Sequence, residues 1–257
     1  MILTIDVGNT NTVIGGFDEN DTLSFESRIS TDRYRMEDQY AITLVDILSL
    51  YGRKPEEVTG TVISSVVPPV TPQIKAATEK VCRCRVLTVG PGIKTGLNIR
   101  IDEPASLGAD MAAVAVGAKE HYPLPAVVID LGTATKILAI DKTGAFVGGI
   151  IAPGIKISAE ALAQRTASLP LISIAGEAPR RVIGTNTIDC MRSGMLYGTA
   201  FMVDGMAEHF EQELGEKCTM IATGGFSSVL KPLCKHDFIL DRNLILTGLL
   251  DIYKKNC

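Results

Sequence analysis

Tryptophan is absent from this 257-residue sequence, and aromatic residues of all kinds make up only 5% of it. That leaves little material for stacking nucleic-acid bases. An excess of positive charge is absent too. Lys and Arg number 25 against 29 Asp and Glu, a formal charge of −4 that argues against a broad phosphate-backbone footprint, so no nucleic-acid partner is expected. No stretch approaches the roughly 18 uninterrupted apolar residues of a membrane span. The richest runs, Ala112–Ala118 and Phe146–Ile155, are short or broken by Gly and Pro, so no membrane association is expected. The opening Met-Ile-Leu-Thr-Ile-Asp has no basic segment and no small-residue cleavage site, so no signal peptide is expected. Six cysteines (Cys82, Cys84, Cys190, Cys218, Cys234, Cys257) form no CxxC pair. They read as reduced thiols of a cytoplasmic protein. Cys82 and Cys84 are close enough to share a metal, but the three histidines lie far from them in sequence and the pair reads as ordinary buried thiols. The usual nucleotide signatures are missing as well. Gly90-Pro-Gly-Ile-Lys94-Thr95 has Ile93 where a P-loop needs Gly, Pro91 removes an amide, and no GxGxxG follows a strand.

What the sequence does have is 46% apolar residues, enough for a sizeable core. Short β-branched runs (Ile2–Asp6, Thr61–Val67, Arg85–Val89, Ala126–Asp130, Lys136–Asp141, Met220–Thr223) alternate with helical patterns (Glu37–Leu50, Thr71–Val81, Gly108–His121, Ile157–Arg165, Cys190–Leu214, Leu244–Lys254). The alternation predicts an α/β protein. After Asp6 a tight turn, a strand and a polar hairpin follow, which predicts mixed rather than parallel sheets. The stretch around Asp130-Leu-Gly132 can be laid over Asp6-Val-Gly8, strand on strand, and each copy continues through a polar hairpin (Asp18–Asp21; Lys142–Gly144). A repeat of this length predicts two domains of similar fold, 1–125 and 126–257, with a cleft between them. The Met-bearing face of 190–214 (Met191, Met195, Met202, Met206) reads as core or dimer interface.

An Asp at the end of a buried strand, followed by Gly and hydroxyl residues, combines a cation ligand with a turn whose amides can meet an anion. Phosphoryl transfer requires that combination. A single such turn is an ordinary β-turn motif, but two in-register copies are a stronger signal.

The twin arrangement resembles the acetate and sugar kinase, Hsp70 and actin superfamily, and within it the type III pantothenate kinases over nearly the whole chain. The motifs carrying the resemblance are Asp6-Val-Gly-Asn-Thr-Asn-Thr12, Ser64-Ser-Val-Val-Pro-Pro69, Gly90-Pro-Gly-Ile-Lys-Thr-Gly96-Leu-Asn, Gly108-Ala-Asp110, Asp130-Leu-Gly-Thr-Ala134, Gly148-Gly-Ile-Ile-Ala-Pro-Gly154, Gly184-Thr-Asn-Thr187 and Ala222-Thr-Gly-Gly225. The resemblance implies two duplicated actin-like (ribonuclease H-like) domains with mixed sheets flanked by helices. It implies ATP-dependent phosphorylation of pantothenate to 4′-phosphopantothenate, the first step of coenzyme A biosynthesis. Mg²⁺, a monovalent cation (K⁺ or NH₄⁺) and a homodimer are implied with it.

On that resemblance Asp110 takes the proton of the substrate hydroxyl, although its position at the start of an apolar helix also suits a plain N-terminal acid. Asp6 places Mg²⁺-ATP. Val7, Gly8, Asn9, Thr10, Asn11, Thr12 and Val13 wrap the phosphates, and Thr133 meets them from the second hairpin. Thr10, Thr12 and Thr135 also fit a simpler role, satisfying turn backbone. Asp130 is the monovalent-cation ligand, Gly224-Gly225 passes the adenosine or is a plain turn, and Ile101, Gly108, Ala109, Met111 and Thr187 fall at substrate positions. These three acids, Asp6, Asp110 and Asp130, are expected to converge on the terminal phosphate of the nucleotide. Three departures stand out: Met111 replaces the family's usual Arg, Ile101 its usual Tyr, and Lys136 a small or hydroxyl residue. Lys136 is expected near Asp130, partly substituting for K⁺. The departures keep two alternatives open: a weakly catalytic paralogue binding nucleotide or ligand in a regulatory role, or a kinase for another small hydroxylated substrate.

Overall fold

The computed structural model describes residues 1–174, 176 and 178–257. The chain forms two units, 1–97 with 102–120 and 244–257, and 98–101 with 121–243.

In the first unit, β1 (Ile2–Val7) pairs antiparallel with β2 (Asn11–Phe17), which pairs antiparallel with β3 (Leu23–Ser30). On its other side β1 runs parallel to β4 (Gly60–Ser65), which runs parallel to β5 (Arg85–Thr88). Leu3, Thr4, Ile5 and Val7 are all fully buried, as a strand covered on both faces requires. One face packs on α1 (Glu37–Leu50) and α2 (Thr71–Cys82) through Tyr40, Leu44, Leu48, Ile74 and Ala77. The other carries Val62, Leu87 and Val89 against α3 (Ala109–His121) and the chain's last helix. Every residue from Ala112 to Ala118 is buried, so the middle of α3 is an interior helix and its polar residues lie at its two ends.

The second unit repeats the scheme. β7 (Ala126–Leu131), β8 (Ala134–Ile140) and β9 (Ala145–Pro153) form the antiparallel meander. β10 (Thr219–Thr223) and then β11 (Ile239–Leu240) extend it in parallel from β7, and β6 (Asn98–Ile99) adds to the β9 edge. α4 (Ile155–Arg165) and α5 (Thr187–Leu214) cover Val127, Ile129, Leu131 and Ile137, and the short α6 (Ser227–Leu230) follows β10. Met191 is buried, and Met195, Met202 and Met206 pack partly buried against this core. Duplication extends to the polar hairpins. Asp18 Oδ1 accepts from the amides of Asn20 (2.8 Å) and Thr22 (2.9 Å), and Asp141 Oδ1 accepts from Thr143 (2.8 Å) and Ala145 (3.0 Å).

Two boundaries differ from the sequence reading. α5 begins at Thr187 rather than Cys190 because the Asn186 side chain caps it, accepting from the Asp189 amide at 2.9 Å. The domain division expected at 125 falls at 120, and the final helix α7 (Leu244–Lys254), expected in the second domain, returns to the first unit. Its apolar face is what carries it there, Leu249 and Ile252 packing on Val62, Ala113 and Val116. The contact is close enough to exclude a methyl group: a Cβ on Gly248 would lie 2.0 Å from the Ala113 carbonyl oxygen, and one on Gly117 would lie 2.7 Å from that of Leu244. Gly248→Ala is therefore expected to destabilise the protein by about 1–3 kcal/mol through overpacking. Differential scanning calorimetry should register a melting point several degrees lower, at about 2–4 °C per kcal/mol for a chain of this size.

Candidate functional site

Both acidic turns sit where α/β sheets bind ligands, at the carboxyl ends of parallel-paired strands. In the first unit Asp6 lies between Val13 on β2 and Ser64 on β4. The turn after it closes through a Gly8 amide to Asn11 carbonyl bond of 3.0 Å, and a Cβ on Gly8 would press on that oxygen at 3.1 Å. Asn9 and Thr10 at the tip are exposed, while Thr12 is fully buried and shares a 2.9 Å hydrogen bond with the Thr31 hydroxyl. Of the phosphate-wrapping residues expected here, Thr12 thus has a structural task already, and Val7 and Val13 are buried apolar side chains whose contribution is confined to backbone. Sequence reasoning missed Arg33, whose Nη2 donates to Asn9 Oδ1 at 3.0 Å and brings a cation to the hairpin tip. It also gave no role to Ser64 itself, although the register of β1 with β4 would have pointed to it.

The Ser64 hydroxyl is buried and has no hydrogen-bond partner among the described residues. A buried polar orphan calls for an explanation, and beside a carboxylate it supplies a hard oxygen environment that fits Mg²⁺. No group of three or more His, Cys, Asp or Glu side chains able to hold a metal occurs among the described residues. That agrees with the habit of Mg²⁺, which takes one or two carboxylates and fills its remaining positions from phosphate and water.

Asp110 occupies the first turn of α3, half-buried, and its Oδ1 accepts from the Met111 amide at 2.8 Å. Gly108 leaves room for this carboxylate position, since a Cβ there would lie 2.7 Å from the same Oδ1 and push it aside. Ala109 and Met111 are half-buried around it. The segment Gly90–Gly96, which superficially resembles a P-loop, is a structural clasp. Asn256 accepts from the Lys94 amide (3.1 Å) and donates to its carbonyl (2.8 Å), and Lys119 donates to the Gly96 carbonyl (2.6 Å).

In the second unit Asp130 lies between Thr223 on β10 and Lys136 on β8. Lys136 Nζ stands 2.8 Å from Asp130 Oδ2, with the two side chains only 15% and 17% exposed. The two hairpins are not superposable residue for residue. Four residues (8–11) separate the paired Val7 and Thr12, but three (132–134) separate the paired Leu131 and Thr135. The shorter turn moves the next strand by one position in sequence and sets Lys136 opposite the acid, in the place that Val13 holds opposite Asp6. Thr133 is exposed at the tip and Thr135 is buried. Gly154, the N-cap of α4, crosses this tip so tightly that a Cβ would fall 2.2 Å from the Thr133 carbonyl oxygen. Gly224, at φ +86°, passes the Leu131 backbone in the same way, at 2.6 Å, while Gly225 faces open space. Thr187 begins α5, and Gly184 packs on that helix start, where a Cβ would meet the Cys190 amide nitrogen at 2.4 Å. Ile101 is half-buried just beyond β6.

Comparison with known proteins adds the following. A sequence model of the family described as type III pantothenate kinase matches residues 2–209. A protein named type III pantothenate kinase from Halalkalibacterium halodurans is 44% identical over 256 residues, covering 100% of both chains. One of the same name from Brevibacillus brevis is 42% identical over 258 residues, covering 100% of this chain and 99% of its own. Among solved structures, the activator of the 2-hydroxyisocaproyl-CoA dehydratase from Clostridium difficile, with bound ADPNP, aligns with a TM-score of 0.58 at 14% identity, over 98% of this chain and 93% of that one. The archaeal actin homologue Ta0583 aligns at 0.50 and 12% identity, over 99% of each chain. These last two likenesses concern the fold alone, which is the actin-like α/β architecture the sequence resemblance implied.

Proposed function

The chain belongs to the type III pantothenate kinase family, and from that premise we propose how its residues transfer the γ-phosphoryl group of ATP to pantothenate, the first step of coenzyme A synthesis. It is an enzyme, a phosphotransferase with an alcohol acceptor. The observation that carries the reading is the identity shared along the whole chain with two proteins of that name.

Asp110 is the general base. The Met111 amide fixes its Oδ1, and its Oδ2 takes the proton as the pantothenate hydroxyl oxygen bonds to the γ-phosphorus and ADP departs. A carboxylate suffices because the hydroxyl proton becomes acidic only as the new P–O bond forms. Asp6, with Ser64 beside it, would hold Mg²⁺ on the nucleotide, and the ion would offset charge building on the phosphates. The tip of the turn, at Asn9 and Thr10, turns its backbone to the same phosphates, while the Gly8 amide is spent on closing the turn, and Arg33 adds a positive charge. Thr133, Gly108, Ala109 and Thr187 keep the ligand roles assigned to them by resemblance.

Met111 and Ile101 remove a cation and a hydroxyl from the positions assigned to pantothenate. An unreplaced charged hydrogen bond is worth about 1.5–3 kcal/mol. Met111→Arg is accordingly expected to lower KM for pantothenate by roughly tenfold or more with kcat little changed, measured by steady-state kinetics.

The same reading includes a homodimer and a cytoplasmic setting. Phe201, 50% exposed on α5, and Ile151, 68% exposed on β9, are apolar surface that a second copy would cover. Sedimentation equilibrium should return the mass of two chains, and a monomer at micromolar concentration would remove the dimer from the account. No helix among the described residues is long and apolar enough to cross a membrane.

The experiment that tests the function is direct. Purified protein with ATP, Mg²⁺ and pantothenate should yield ADP and phosphopantothenate in equal amounts, and a panel of other alcohols and sugars should not be phosphorylated in its place.

A further inference from the structure

The family resemblance places a monovalent cation on Asp130, and the residues present there do not fit one. Asp130 Oδ2 is already engaged at 2.8 Å by the Lys136 ammonium, held on the adjacent antiparallel strand in direct register. Ammonium and K⁺ are cations of equal charge and similar size, and both seek carboxylate and hydroxyl oxygens. A largely buried ion pair contributes little net stability compared with an apolar pair of the same volume. Packing alone therefore gives little ground for a lysine at 15% exposure against the Asp130 carboxylate. We propose that Lys136 is a built-in monovalent cation: a positioning residue whose ammonium takes the seat of K⁺ at Asp130, so that this kinase works without added K⁺ or NH₄⁺.

The one-residue-shorter turn is what makes the substitution possible, because it sets residue 136 opposite Asp130, where the first hairpin has Val13 opposite Asp6. A tethered cation is always present and needs no capture from solution, so the site no longer samples an empty state. Removing one partner of a buried pair leaves an uncompensated charge. In a variant lacking the ammonium, that charge is the Asp130 carboxylate, and a mobile cation should be drawn to it.

The proposal rests on the kinase reading, and its test separates the two. Wild type and Lys136→Thr, with Lys136→Met as a second variant in case the first fails to fold, are each placed in tetramethylammonium, K⁺ or NH₄⁺ buffers with Mg²⁺-ATP. Product is measured directly, without coupling enzymes, and melting temperature is measured alongside. Wild type should change less than about twofold between buffers. The folded variant should lose roughly tenfold or more of its activity in tetramethylammonium and regain it with K⁺ or NH₄⁺. K⁺ should also raise the melting temperature of the variant and not of wild type. A wild type that needs K⁺, or a folded variant indifferent to it in both readouts, overturns the proposal. Should no phosphopantothenate form under any condition, the kinase reading fails, and the melting shifts alone still decide who occupies the Asp130 seat.

Discussion

Asp110→Asn lowers kcat by a factor on the order of 10²–10⁴, the usual contribution of a positioned general base, and leaves the affinity for an ATP analogue within about twofold. The amide keeps the shape of the carboxylate and can still accept from the Met111 amide, so the start of α3 and its buried Ala112–Ala118 segment should be undisturbed. What is lost is the ability to take a proton. The matching kinetic signature is a fall in kcat and kcat/KM together, which marks an interaction made only in the transition state. A mere helix-terminal acid would behave differently: its replacement would shift stability by a few tenths to about 1 kcal/mol and leave turnover nearly intact. Single-turnover product formation combined with calorimetric titration of the analogue distinguishes the two roles.

Asp6→Asn has the second-largest effect, a loss of about 10² or more in kcat/KM for Mg²⁺-ATP. Here binding should fail as well as turnover, because a neutral amide is a poor ligand for a hard divalent cation. The strand itself should hold, since Leu3, Ile5 and Val7 anchor β1 in the core shared with α1 and α2 while Asp6 is only half-buried. Titration with the ATP analogue at several Mg²⁺ concentrations reads this out: wild-type affinity should rise with Mg²⁺, and that of the variant should not.

Much of this was legible from sequence because it is local. The strands, the helix at Glu37–Leu50, the repeat of an Asp-x-Gly turn and the polar hairpins all follow from periodicity and turn chemistry. Asp18 and Asp141 folding back on their own amides is the same chemistry seen in coordinates. What escaped is what depends on register and on non-local packing. A gapless overlay of the two repeats aligns Lys136 with Thr12. The expected nearness of Lys136 to Asp130 is borne out, but only the pairing of Leu131 with Thr135 reveals the missing turn residue that sets the two side chains in direct register. The placement of Ser64 beside Asp6 and of Thr223 beside Asp130 also comes from strand pairing and not from their own surroundings in sequence. Arg33 lies 24 residues from the Asn9 it meets. The destination of α7 is decided by small residues on another helix, Ala113 and Gly117, a preference that amphipathicity alone does not encode. Thr12, buried and bonded to Thr31, fits the structural role that the sequence left open for it beside the ligand role.

One measurement bears most directly on the account: ³¹P NMR of the wild-type reaction with ATP, Mg²⁺ and pantothenate, run once with K⁺ and once with no monovalent metal ion. The account predicts a new phosphomonoester signal from pantothenate, growing in step with ADP at the same rate in both samples. An unchanged spectrum from folded, nucleotide-binding protein, or a phosphoester formed only on some other alcohol, would contradict it.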